Sequence, residues 1–126
     1  MLKKGFKQCL AAANAEIDSM PVSLALGMLE DDDVVFVDVR ETQERQKGFI
    51  PGSAHAPRGF LEFIADPEGP MYNPTITGDK TLVVYCGSGG RSALAAKTLQ
   101  DMGFTKVCSL VGGLSAWQEA GGPIGK

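Results

Sequence analysis

Tyr85-Cys86-Gly87-Ser88-Gly89-Gly90-Arg91-Ser92 is the segment of this chain whose residue types and spacing best suit covalent chemistry. A cysteine closes an apolar, β-branched run, and three glycines follow it within four residues. Glycine reaches backbone angles that other residues avoid, so such a loop can curl and aim successive N–H groups at one point. A helix predicted from Arg91 adds first-turn N–H groups and the positive end of its dipole. Cys86, Gly87, Ser88, Gly89, Gly90 and Arg91 thus read as an anion cradle with a sulfur at its centre.

Magnitudes decide which part of the cradle matters. A free thiol titrates near pH 8.5, so only about 3% is ionised at pH 7. Lowering the pKa to about 6.5 requires roughly 2.7 kcal/mol of preference for the anion. A helix end supplies about 0.3–1 kcal/mol, and each hydrogen bond to a charged group about 1.5–3 kcal/mol. The inward N–H groups therefore dominate, with the helix end assisting; Arg91 either helps or braces the loop, as an arginine does in many such turns. The alternative is an ordinary strand-to-helix turn holding an inert, buried cysteine. Spacing alone does not name the anion.

The elements that must position this loop are legible around it. Val34-Val35-Phe36-Val37-Asp38-Val39 and Thr81-Leu82-Val83-Val84-Tyr85 are apolar at both parities, as strands buried on both faces are. Helices are expected after each, over 41–47 and 91–102, the second ended by Gly103. Lys106 to Leu110 reads as another strand, Ser53 to Ala56 as a short one, and Gly112-Gly113 opens a last helix through Trp117. Ser19-Met20-Pro21 reads as a helix start, and residues 66–80 as an irregular excursion marked by Pro67, Gly69, Pro70 and Pro74. Alternating strands and helices predict an α/β domain with a mostly parallel central sheet and helices on both faces. Ligand sites in such sheets form beyond the carboxyl ends of the strands, where Asp38, Arg40 and Cys86 all fall. Residues 1–19 are expected to be a helical extension, and 20–122 the domain proper.

Bulk properties narrow the function. A chain of 126 residues, 44% apolar and 21% charged, suits one domain with a packed core. A net charge of -3 lacks the basic excess of a general nucleic-acid binder. Cys9, Cys86 and Cys108 are odd in number and widely spaced, which disfavours a disulfide scaffold or a zinc site and points to a reducing, cytoplasmic setting. Lys3, Lys4 and Lys7 before an apolar stretch mimic a secretion signal, but Gln8 and Asn14 interrupt it. No window reaches the roughly 20 apolar residues of a membrane span. Neither nucleic acid nor membrane is an expected partner.

Three ordered segments give the chain a resemblance to the rhodanese family over about residues 20–122: Asp38-Val39-Arg40-Glu41, then Gly48-Phe49-Ile50-Pro51-Gly52-Ser53-Ala54-His55, then Cys86 to Ser92 followed by Gly112-Gly113 and Trp117. The resemblance implies a rhodanese-like fold and a sulfurtransferase carrying sulfur as a persulfide on Cys86. Its partners would be a small anionic sulfur donor such as thiosulfate and a thiol or protein acceptor, or cyanide in an assay. No metal and no organic cofactor is implied. The family often has histidine where this chain has Phe49. The loop from Cys86 to Arg91 has six residues; rhodanese-like phosphatases and arsenate reductases have a cradle one residue longer. Sulfur transfer is therefore favoured over those two activities. A non-enzymatic sulfur-relay or regulatory module on the same fold is the other alternative.

Several further residues have two readings. Arg58, in Pro57-Arg58-Gly59-Phe60, could guide an anionic donor, since guanidinium suits sulfonate-like oxygens; otherwise it forms a structural ion pair. Asp38 could pair with either Arg58 or Arg40, and Asp38 and Arg40 are expected to support the site structurally. His55, the sole histidine, is expected to be structural, because a good leaving group needs no general base. Trp117 is expected in the core, Cys108 buried and inert, and Cys9 a spectator rather than a resolving thiol. The sequence leaves the oligomeric state open.

Overall fold

In the computed structural model, which describes Met1–Lys126, the chain runs α1 (Phe6–Glu16), β1 (Asp18–Met20), α2 (Val22–Ala25), β2 (Val34–Asp38), α3 (Thr42–Gln46), β3 (Ala54–His55), α4 (Leu61–Ala65), β4 (Thr81–Tyr85), α5 (Gly90–Met102), β5 (Val107–Leu110) and α6 (Gly113–Glu119). Single 3₁₀ turns at Leu26–Met28 and Arg58–Phe60 lead out of α2 and into α4. The five strands form one sheet in the order β1-β5-β4-β2-β3, and every pairing is parallel. An isolated antiparallel bridge joins Phe49 to Gly125 beyond it.

Both parities of the central strands are apolar because both faces are covered. Val35, Val37, Leu82, Val84 and Val107 point into a core completed by Leu61, Ile64 and Ala65 of α4 and Ala93, Ala96 and Leu99 of α5. Phe36, Val83, Tyr85, Cys108 and Leu110 point the other way, against Ala25, Leu114 and Trp117. Trp117 is fully buried, meets Phe36 edge to face at 5.5 Å, and donates its indole N–H to the Pro123 carbonyl at 2.8 Å. Such side chains each contribute about 1.5–3 kcal/mol on burial, so the two-faced core is the main source of stability. No helix is long and apolar enough to cross a membrane.

The predicted helix over 91–102 is α5, beginning one residue earlier at Gly90, and Gly103 ends it in a left-handed conformation (φ +112°). The excursion at 66–80 contains no helix or strand. Asp18–Met20 does not continue the N-terminal helix. It forms the edge strand β1, with Ser19 and Met20 in register with Ser109 and Leu110. The helix start at Pro21 holds, but the helical segment is brief, and Leu24 is exposed while Ala25 is buried. α1 is docked rather than loose: Ala13 is buried, the Gln100 side chain donates to the Glu16 carbonyl at 3.0 Å, and Lys97 of α5 pairs with Glu16.

Candidate active site

β4 delivers Cys86 to the carboxyl edge of the sheet, and α5 leaves again at Gly90, so the loop between them is short and sharply turned. Gly89 has φ +114°, which an L side chain rarely adopts. This turn directs backbone N–H groups at the sulfur. The Gly89 N–H donates to Cys86 Sγ at 3.1 Å and the Ser92 N–H at 3.4 Å. Sγ also lies 3.6 Å from Ser92 Oγ, to which the thiol donates. On ionisation the same hydroxyl can turn and donate to sulfur. Burial alone pushes the thiol pKa up; the Ser92 hydroxyl and the N–H groups of Ser92, Gly89 and Ser88 outweigh it, and the net shift is downward. The cysteine is buried (1% exposed), but its polar neighbours face it.

A second layer fixes the loop. The first amides of α6 are spent on it: Leu114 N–H donates to the Cys86 carbonyl at 2.8 Å and Ser115 N–H to the Gly87 carbonyl at 3.1 Å. A Cβ at Gly113 would meet the Cys86 carbonyl oxygen at 2.5 Å, which explains glycine there. Arg91 turns outward and clasps Glu44 of α3 with two bonds of 2.6 and 2.9 Å. That clasp, foremost, holds the Glu44 carboxyl down at about 2. Glu44 Oε1 also accepts the Glu41 N–H at 3.0 Å, capping α3. Arg91 therefore braces the cradle from outside.

Asp38 and Arg40 come together, as expected, in a buried pair apart from the sulfur. Asp38 accepts two bonds from the Arg40 guanidinium at 3.0 and 2.9 Å, one from Arg45 at 3.2 Å and one from the Tyr85 hydroxyl at 3.1 Å. Arg40 also donates to the Gly48 carbonyl at 2.7 Å. The Arg45 guanidinium stacks 4.2 Å from the Phe49 ring centroid. Arg58 does not join this group. It donates to Glu62 at 3.2 Å and to Thr98 at 2.9 Å, and it bonds to no residue of the loop. The His55 ring nitrogen Nε2 sits 2.8 Å from the Arg40 carbonyl, a structural contact. Cys108 is buried, and desolvation pushes its thiol up to about 11, which disfavours the thiolate. Cys9 is half-buried on α1. No three His, Cys, Asp or Glu side chains gather where they could hold a metal ion.

Two residues of the sulfur's surroundings carried no role in the sequence reading. Ser92 was visible only as a polar residue in a helix start. Ser109 of β5, whose hydroxyl lies 2.8 Å from Ser92 Oγ, gave no signal, because strand order brings it there.

A buried thiol that accepts two backbone N–H groups at the carboxyl end of a parallel sheet is the arrangement that the fold and the site define. Residues 22–120 match the model of the rhodanese-like domain, and the chain belongs to that family. A sulfurtransferase of Allochromatium vinosum is 35% identical over 109 residues, 86% of this chain and 92% of its own length. The thiosulfate sulfurtransferase GlpE of Pseudoalteromonas translucida is 32% identical over 79% of this chain and 87% of its own. A solved structure from Rhodopseudomonas palustris, described as a protein of unknown function and possible tyrosine phosphatase, superposes with a TM-score of 0.93 at 44% identity, covering 99% of this chain and 97% of that one. Membership and relatives named for sulfur transfer or sulfur carriage support a sulfurtransferase or sulfur carrier, a transferase in the general sense.

Proposed function

We propose that the protein moves a sulfane sulfur from thiosulfate, or a similar small anionic donor, to a thiol through a persulfide on Cys86. The convergence of the Gly89 and Ser92 amides on Sγ carries this reading. The Cys86 thiolate attacks the outer sulfur of the donor; the donor's S–S bond breaks and sulfite leaves with the electron pair. An acceptor thiolate, or cyanide, then attacks the outer sulfur of the persulfide and Cys86 departs as thiolate. The same amides stabilise the anion before and after each step. Gly90 and Arg91 keep first-turn N–H groups of α5 without protein partners, and these suit the donor's oxygens. Cys86 is only 1% exposed, which favours compact donors. Arg58 remains a candidate for the donor's sulfonate end, provided it exchanges Glu62 and Thr98 for it. The chemistry needs no metal or cofactor, and three widely spaced cysteines favour a reducing, cytoplasmic setting.

Phosphoryl transfer is the second reading, favoured by the description of the Rhodopseudomonas palustris structure. Its transition state gathers charge that a cation usually offsets, whereas Arg91 is committed to Glu44. Purified protein with thiosulfate and cyanide is expected to release thiocyanate, and Cys86→Ser to release none. Hydrolysis of an aryl phosphate with no thiocyanate would reverse the assignment. A persulfide formed only on mixing with a donor protein, again without thiocyanate, would make the chain a relay.

A further inference from the structure

The charge of this molecule is unevenly spread. Residues 1–15 hold Lys3, Lys4 and Lys7 and no acidic side chain, whereas the rest of the chain carries nine basic against fifteen acidic residues. All three lysines are exposed, and none pairs with a carboxylate. They surround the start of α1, which lies outside the segment matched by the family model. Between α1 and the first turns of α5 runs a groove of about 310 Å³, lined by Phe6, Leu10, Ser88, Gly90, Arg91 and Leu94. Phe6 is 72% exposed beside it, and Leu2 is exposed a turn away. Ser88 and Gly90 flank Gly89, whose amide holds Cys86 Sγ at 3.1 Å, so the groove ends on the rim of the cradle.

We propose that this groove docks the sulfur acceptor, and that the acceptor is an acidic polypeptide presenting a cysteine next to an apolar side chain. The inference rests on the sulfur-transfer reading and names the partner's chemistry. A small thiol needs no apolar groove, while an apolar side chain seated against Phe6, Leu10 and Leu94 holds a neighbouring cysteine at the rim. The lysines attract an acidic partner to this end, and the acidic remainder of the surface repels it elsewhere; at about 0.1 M salt that field reaches roughly 10 Å. The docked thiolate attacks the outer sulfur of the Cys86 persulfide, the S–S bond breaks, Cys86 leaves with the electron pair, and the acceptor becomes the persulfide. An anionic membrane is a poorer fit, because it offers no thiol to the cradle on whose rim the groove ends.

The test uses short fluorescein-labelled peptides with one leucine near the reactive position. One set is flanked by Asp and Glu, the other by Lys. Serine replaces cysteine for binding by anisotropy, and cysteine is kept for sulfur transfer. The full-length protein is expected to bind and sulfurate the acidic peptide about tenfold better than the basic one at low salt, with the ratio collapsing at high salt. Combined Lys3→Glu, Lys4→Glu and Lys7→Glu should invert the preference, and Phe6→Ser should weaken both peptides several-fold, with thiocyanate formation from thiosulfate and cyanide unchanged in each. Equal affinity for the two peptides, or a preference that survives the lysine reversal, overturns the proposal. So does co-sedimentation with phosphatidylserine vesicles in the absence of peptide preference. Thiocyanate formation with no peptide preference sinks the docking surface alone. A binding preference with neither thiocyanate nor sulfurated peptide sinks the sulfur-transfer reading and leaves the surface standing.

Discussion

At Cys86 two opposing effects meet: burial disfavours the thiolate, and hydrogen bonds from Ser92, Gly89 and Ser88 favour it. The bonds prevail because the loop supplies several at once and the Ser92 hydroxyl adds another. Ser92→Ala removes that hydroxyl and keeps the backbone amide. Its expected effect is a rise in the Cys86 pKa of about one to two units, the worth of a hydrogen bond to a charged group at about 1.5–3 kcal/mol. Ultraviolet thiolate absorbance during a pH titration measures it, and an unshifted curve would show the amides suffice alone. The cysteine and its glycines were readable in the sequence because a strand end followed by clustered glycines has few structural uses. Bracing by Arg91 was one of two readings open to the sequence, but its partner was not legible, since the carboxylate it clasps lies 47 residues away.

The Glu44–Arg91 clasp ties α3 to the loop, and its energetics belong to the elements rather than the sulfur. Glu44 has a folded-state pKa depressed from 4.5 to about 2. A depressed carboxylate pKa contributes stability that is complete above the ordinary value and fades as pH falls through the folded one. Glu44→Gln is therefore expected to destabilise the protein near neutrality and to match the wild type progressively between pH 4.5 and about 2, as read by thermal melts across that range. A gap that stays constant over those pH values would contradict the clasp. The long apolar strands and α5 were legible from their runs and glycine ends. β1 was not: Asp18-Ser19-Met20 has neither alternation nor β-branching, and pairing with β5 alone makes it a strand.

Across the whole molecule, the two-parity apolar runs specified a sheet sandwiched between helices, and the parallel pairing throughout follows from that covering. The ends of β2 and β4 and the segment leading into β3 are joined by the buried network at Asp38. Asp38→Ala would strand the Arg40 charge in the interior, and the expected loss is about 3–5 kcal/mol, enough to lower the denaturant midpoint sharply; a midpoint change within error would mean the network is not stabilising. The network itself was half legible, as Asp38 with Arg40, while Arg45 and Tyr85 required the fold to bring them in.

Peptide-resolved alkylation of Cys86 by iodoacetamide as a function of pH tests the central claim most directly. Converging amides predict an inflection clearly below about 8.5, the value of a free thiol, with Cys108 resisting reagent throughout. An inflection at or above that of a free thiol would contradict the account.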